Sequence, residues 1–177
     1  MKHLRKITIF ALIALMAVFF TGCQQLFPEY FDVWNNSEKR GREKAEELIS
    51  YINSKDVNGI KNMFSEKNRK EAGLENEIVE FLGHFPNGIP KYEIESFVGG
   101  EGSFDHGDVN FNIETVRIYL PEKRASSGDS DGAIFVTYTH IEHKHEDEVG
   151  VNKIIYSDWT DKNNYKDYEC GKTWPKN

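Results

Sequence analysis

The hydrophobic positions after Ser37 recur at the spacing of an α-helix, with charged residues between them. The turn NSKD interrupts this pattern, and Asp56 is a candidate N-cap for a second helix. A third helical segment ends at PNGIP, because two prolines and a glycine cannot continue a helix. The expected apolar faces of these three helices are Ala45, Leu48, Ile49 and Ile52; Val57, Ile60, Met63 and Phe64; and Leu74, Ile78, Phe81, Leu82 and Phe85.

After Pro90 the period of the pattern changes to two, which predicts β-strands. KYEIESFV and VNFNIETVRIYL are two predicted strands, with GGEGSFDHGD between them as a loop. Two more strands, AIFVTYTHIEHKH and VGVNKIIYSDW, flank an acidic turn. In the second strand we expect Val109, Phe111, Ile113 and Thr115 to face one way. Helices followed by antiparallel strands predict an α+β domain, with N-terminal helices packed on a long, curved antiparallel sheet.

The N-terminus has the layout of a secretory signal, since three basic residues precede an apolar run from Ile7 to Phe20. This run is shorter than the roughly 20 residues of a membrane-spanning helix. The sequence FFTGC resembles the lipobox of bacterial lipoproteins. That resemblance implies that the thiol of Cys23 receives a diacylglyceryl group, that later acylation adds chains such as palmitate, and that cleavage separates Gly22 from Cys23. An uncleaved membrane anchor is the alternative.

These patterns divide the chain into four parts. Residues 1–22 are the predicted lipoprotein signal peptide, and 23–36 are a tether in which Pro28 interrupts helix formation. Residues 37–160 form the predicted α+β domain, and 161–177 form a polar C-terminal tail. The expected location is the extracytoplasmic face of a bacterial membrane, to which the lipid anchor attaches the domain.

The charge of the chain makes nucleic-acid binding an unlikely function. Its formal charge is −7, and 19 basic against 29 acidic side chains remain once residues 1–22 are removed. Nucleic-acid binding depends on basic side chains that neutralise phosphates, so we expect no nucleic-acid partner. If lipid occupies Cys23, then Cys170 has no cysteine of the same chain to pair with.

Three phrases carry a family resemblance: KAEELISYINSKDVNGIKNMFS, the glycine-rich stretch after KYEIESF, and EDEVGVNKIIYSD. In order, spacing and lipobox context the chain resembles small bacterial lipoproteins that carry a domain of unknown function, the family numbered 5104. The resemblance implies a cone similar to that of the nuclear-transport-factor-two-like proteins. It implies no catalytic residue, because the family is uncharacterised.

The residues that could carry chemistry are few. His143 and His145 lie two apart in THIEHKHEDE and could hold a metal with help from His106, but a solvated strand end explains them better. Tyr138 and His140 also lie two apart, and they are the weak candidates for ligand binding. Tyr138 is otherwise a core aromatic, and we predict no metal, cofactor or catalytic residue.

The sequence therefore favours a non-enzymatic, lipid-anchored domain that binds a small ligand or an envelope protein. One alternative is an isomerase-like or hydrolase-like enzyme that uses a cavity of the cone, which requires a buried acid or base beside a hydrogen-bond donor. Another is an immunity-type protein, tethered to the membrane, whose acidic charge suits a basic toxin.

Overall fold

The computed structural model describes residues 27–106, 108–120, 132–161 and 164–174. The predicted leader, Gly22 and Cys23 lie outside this part of the chain. So does most of the predicted connection PEKRASSGDSDG.

The first half of the described chain is helical. Its four helices are α1 (Pro28–Ser54), α2 (Val57–Met63), α3 (Glu66–Arg69) and α4 (Leu74–Gly83). Asp56 is confirmed as the N-cap of α2, because its carboxylate accepts a hydrogen bond from the N–H of Gly59 at 2.8 Å. The three predicted amphipathic segments are confirmed as α1, α2 and α4, and the short α3 is a helix that the sequence pattern did not predict.

Helix α1 begins earlier than the sequence suggests. The prediction that Pro28 interrupts a helix is wrong, since Pro28 is the first residue of α1 and residues 28–36 are helical. Proline fits the first helical position because its backbone dihedral already suits a helix and no N–H is needed there. The first turns of α1 consequently lie against the sheet, within reach of its side chains.

The second half forms one antiparallel sheet whose described strands are neighbours in chain order. The strands are β1 (Glu93–Asp105), β2 (Asp108–Tyr119), β3 (Gly132–Glu142), β4 (Gly150–Asp158) and β5 (Lys166–Gly171). The first three pairings each contain a register irregularity, a feature that bends strands and increases their twist. The α+β class, with N-terminal helices packed on an antiparallel sheet, is confirmed.

Two strand predictions need correction. GGEGSFD is no loop, because β1 continues through it to Asp105 in pairing with β2, and the chain turns at His106. Residues 166–171, expected in a polar tail, form β5 along β4. Cys170 explains this pairing, since its side chain is fully buried in the core.

The core lies between the helices and one face of the sheet. Of the predicted helical core positions, only Val57 is half-buried, and the others are buried. In β2 the face formed by Phe111, Ile113 and Thr115 is half-exposed, and the opposite face is buried. That buried face carries Asn112, Glu114, Val116 and Ile118. Two polar side chains therefore point towards the helices.

Candidate functional site: a buried carboxylate beside an aromatic groove

Glu114 is a carboxylate in the middle of β2 with only 1% of its side chain exposed. Alternate residues of a strand point to opposite faces, so Glu114 shares its face with the buried Val116. Moving a carboxylate out of water costs roughly several kcal/mol unless it is paired with a positive charge and hydrogen-bonded. Its position therefore requires partners from the neighbouring elements.

Arg40 and Tyr138 are those partners. Arg40, from α1, donates from Nη2 to Glu114 Oε1 at 2.6 Å. Tyr138, the residue opposite Glu114 on β3, donates its hydroxyl to Oε2 at 2.5 Å. Both carboxylate oxygens are thus bonded, each to a different element of the fold.

Arg40 also holds the N-terminal turns of its own helix. Its Nη1 donates to Asp32 Oδ2 at 2.9 Å and to the backbone oxygen of the same residue at 3.0 Å, and its Nη2 donates to the backbone oxygen of Val33 at 3.1 Å. Asp32 in turn lies 2.8 Å from Nε2 of His140 on β3. The guanidinium therefore bonds α1 to Glu114 of β2, and Asp32 extends the network to His140 of β3.

The pKa values of Asp32 and Tyr138, two titratable groups of this network, shift in opposite directions. Burial favours a higher pKa for Asp32, but hydrogen bonds from Asn36 and His140 together with the charges of Arg40 and His140 outweigh it, so that its pKa is lowered. For Tyr138, burial is the main cause of a strongly raised pKa, and the adjacent Glu114 carboxylate adds to it. Tyr138 consequently keeps its proton and acts as a donor.

A groove of about 270 Å³ opens beside Glu114, between α1 and strands β1 and β2. Trp34 and Phe104 form its exposed rim, with ring centroids 6.4 Å apart and planes inclined by 24°. Asn112 and Glu114 line its buried end. The side chain of Asn112 is 7% exposed, and its Oδ1 has no hydrogen-bond partner among the residues that the structure describes.

Two glycines of β1 make room for this groove. Gly100 lies opposite Glu114 and Gly102 opposite Asn112, so any side chain there would project onto the groove face. A Cβ at Gly102 would stand 2.9 Å from the ring of Phe104, closer than real Cβ contacts allow. The absence of side chains at these positions therefore lets the aromatic ring lie across the strand.

Comparison with known proteins finds a match for the part of the chain that contains the strands of this site. Residues 47–161 match the model of a family described as a domain of unknown function, DUF5104. The chain belongs to the DUF5104 family. No curated protein sequence matches the chain. Within the described residues, no helix combines the length and apolar character that crossing a membrane requires.

The segment that matches DUF5104 contains only part of the network. Glu114 and Tyr138 lie inside it, whereas Asp32, Trp34 and Arg40 precede it. The guanidinium of the site and the Trp34 side of its rim therefore come from the part of α1 that lies before the matched segment, whereas Phe104 lies inside it.

Tyr138 and His140, the two candidates from the sequence, both belong to the network but at different ends. Tyr138 bonds Glu114, and His140 bonds Asp32. Tyr138 is 3% exposed, so it is a core aromatic whose hydroxyl is bound inside the protein. Neither residue lines the groove, and Arg40 bridges the two carboxylates that they contact.

The remaining histidines do not form a cluster. His143, just beyond the end of β3, lies 3.0 Å from the carboxylate of Glu29, whose hydrogen bond and charge raise its pKa. His84 follows α4 and packs its ring against Tyr168 at a centroid distance of 3.8 Å. In the part of the chain that the structure describes, no group of three or more potential ligands is arranged to hold a metal ion.

Arg40 and Glu114 were not among the candidates from the sequence. A signal for Glu114 does exist in VNFNIETVRIYL, where the apolar positions change phase between Ile113 and Val116. Such a change means that one strand face carries both polar and apolar side chains. It indicates a polar group inside, but it does not name the partner 74 positions away in α1.

Proposed function

We propose that the protein is a lipid-anchored domain on the extracytoplasmic face of a bacterial membrane, which binds a small ligand in the groove between α1 and strands β1 and β2. The lipobox-like FFTGC sequence supports the anchor. Helices followed by a bulged antiparallel meander support a cone similar to that of the nuclear-transport-factor-two-like proteins.

One observation carries the binding proposal: the buried carboxylate of Glu114 and the Oδ1 of Asn112, which has no partner among the described residues, both line the inner end of a groove whose rim is aromatic. Ligand sites are usually concave and mostly apolar, with a few fixed polar groups that orient the ligand. Arg40 and Tyr138 fix Glu114 in this way, because each bonds one of its oxygens. The carboxylate is thus held in one orientation by two elements of the fold.

Binding explains this geometry better than isomerase or hydrolase chemistry does. An acid–base catalyst must exchange a proton with its substrate. Both oxygens of Glu114 are engaged by Arg40 and Tyr138, and the raised pKa of Tyr138 opposes proton release. His140, the sequence candidate for a base, bonds Asp32 and does not line the groove.

The binding proposal is tested by filling the groove. We choose Ser37→Phe, because Ser37 lies on α1 and lines the groove, and Ser50→Phe as a matched control at an exposed position of the same helix. The full chain in detergent micelles is titrated with small aromatic amines, alcohols and carboxylic acids, while the indole N–H signal of Trp34 is followed by NMR. We expect at least one probe to shift this signal in the wild type and in Ser50→Phe, but not in Ser37→Phe. If no probe of any charge shifts it, the groove is not a ligand site.

The anchor is tested separately by mass spectrometry of the native N-terminal peptide. We expect an acylated cysteine, Cys23, as the first residue, and partition of the protein into the detergent phase. Cys170→Ala should leave both unchanged, since Cys170 is buried in the core. A native chain that starts at Met1, or that starts at an unmodified Cys23, would contradict the proposal.

A further inference from the structure

We infer that the ligand of this groove is a small organic cation, a primary or secondary amine attached to an apolar or aromatic body. This inference rests on the proposed binding function and specifies the chemistry of that site. It comes from the lining of the groove, which combines a buried carboxylate, aromatic rings and an acceptor that has no partner among the described residues.

The charged side chain that faces the groove is the acidic Glu114, and among the described lining residues there is no basic side chain. Glu101 lies between Gly100 and Gly102 on β1 and pairs with Ile113, so its side chain points to the opposite face of the sheet. Arg40 lies behind Glu114 and is shared between it and Asp32, so one positive charge serves two carboxylates. The field in the groove therefore favours a positive ligand and repels an anion.

The Oδ1 of Asn112, which has no partner in the described part of the chain, is suited to a hydrogen-bond donor. Asn112 is more than nine-tenths buried and lines the groove beside Glu114. A buried acceptor without a partner is costly, and a ligand N–H that bonds to it removes this cost. An ammonium group is attracted by the field in the groove and can also bond to this acceptor, because it is positively charged and has only donors.

The rim favours the same chemistry. The exposed faces of Trp34 and Phe104 can attract a cation electrostatically or pack against the apolar body of the ligand. The volume of about 270 Å³ lies just below the roughly 300 Å³ at which drug-sized sites begin, so the ligand is small.

The test compares three probes of similar shape and different charge: phenethylamine, 2-phenylethanol and phenylacetate. Each is titrated into the full chain in detergent micelles, with calorimetry for affinity and the Trp34 indole signal for location. We expect the amine to bind at least tenfold more tightly than the alcohol, and phenylacetate to bind more weakly than either. Raising the salt concentration should weaken the amine and leave the alcohol unchanged, because only the amine is attracted by charge.

One variant identifies the group responsible, and a second is the control for charge. Asn112→Leu removes the acceptor of the groove and keeps a similar side-chain size, so amine affinity should fall about tenfold with a smaller loss for the alcohol. Glu101→Gln removes an exposed charge on the opposite face of β1, so amine affinity should change by less than about twofold. Ser50→Phe again serves as the unaffected control.

The possible results separate this inference from the proposed function. If the alcohol binds in the groove within threefold of the amine, or if phenylacetate binds more tightly, the cation inference is wrong and the groove remains a ligand site. If no probe shifts Trp34, both fail. If the amine is preferred but Asn112→Leu changes nothing, the preference arises elsewhere and the inference is again overturned.

Discussion

Replacing Arg40 alone should destabilise the protein, and replacing Glu114 as well should restore most of the lost stability. Arg40→Met leaves Glu114 buried with Tyr138 as its one remaining partner in the network. Removing one member of a buried pair costs about 3–5 kcal/mol, because the other charge stays out of water. For a chain of this size that loss corresponds to a melting temperature lower by roughly 10 °C.

Adding Glu114→Leu to Arg40→Met should recover most of this loss. The double variant buries two apolar side chains in place of two charges, which is often neutral for stability. Glu114→Leu alone should cost less than Arg40→Met, about 1–3 kcal/mol, since Arg40 keeps its bonds to Asp32 at 2.9 and 3.0 Å.

The assay is urea denaturation followed by circular dichroism, with the free energy of unfolding taken from the linear extrapolation. Lys39→Met is the matched control, because Lys39 neighbours Arg40 on α1 and its pair with Glu43 is exposed by 74% and 63%. We expect the control to stay within about 0.5 kcal/mol of the wild type. A cost below about 1 kcal/mol for Arg40→Met, or a double variant less stable than either single one, would refute the reasoning.

Three further predictions concern other parts of the fold. Gly59→Ala should destabilise the protein by about 1–3 kcal/mol, because a Cβ there would overlap an aromatic ring; Gly83→Ala, with open space around it, should be neutral or stabilising in the same urea experiment. Glu29→Gln should bring the raised pKa of His143 back towards 6.5 in an NMR titration. Since a raised pKa stabilises the folded state below the unfolded value, this contribution is present below about pH 6.5 and is lost as the pH rises through the folded pKa; an unchanged titration would contradict it. The Cys170 thiol, buried and with a raised pKa, should react with a thiol reagent only after unfolding, and fast labelling of the native protein would contradict that expectation.

The helices could be predicted from the sequence because their local patterns agree with the fold. The apolar residues of α4 recur at helical spacing, and the same residues are buried. The N-cap Asp56 could be recognised because a cap bonds only within its own turn. Both signals lie within a few residues of the feature that they specify.

The strand errors have a different origin, since they depend on distant partners. Glycines such as Gly100 and Gly102 suggest a turn when read alone, but pairing with β2 holds them in a strand. Glu114 would normally be placed on the exposed face, and Arg40 reverses that preference from 74 positions away. The site could not be predicted from the sequence for the same reason, because neither Arg40 nor Glu114 indicates a site without the other.

The position of Arg40 before the matched segment has a practical consequence for domain engineering. A fragment or chimaera cut at residue 47, where the family similarity begins, would keep every strand and would separate Glu114 from its guanidinium. Such a fragment would have lost the wall of the groove that carries Trp34. A fragment that keeps this site intact must therefore begin before residue 47, where the segment that matches the family starts.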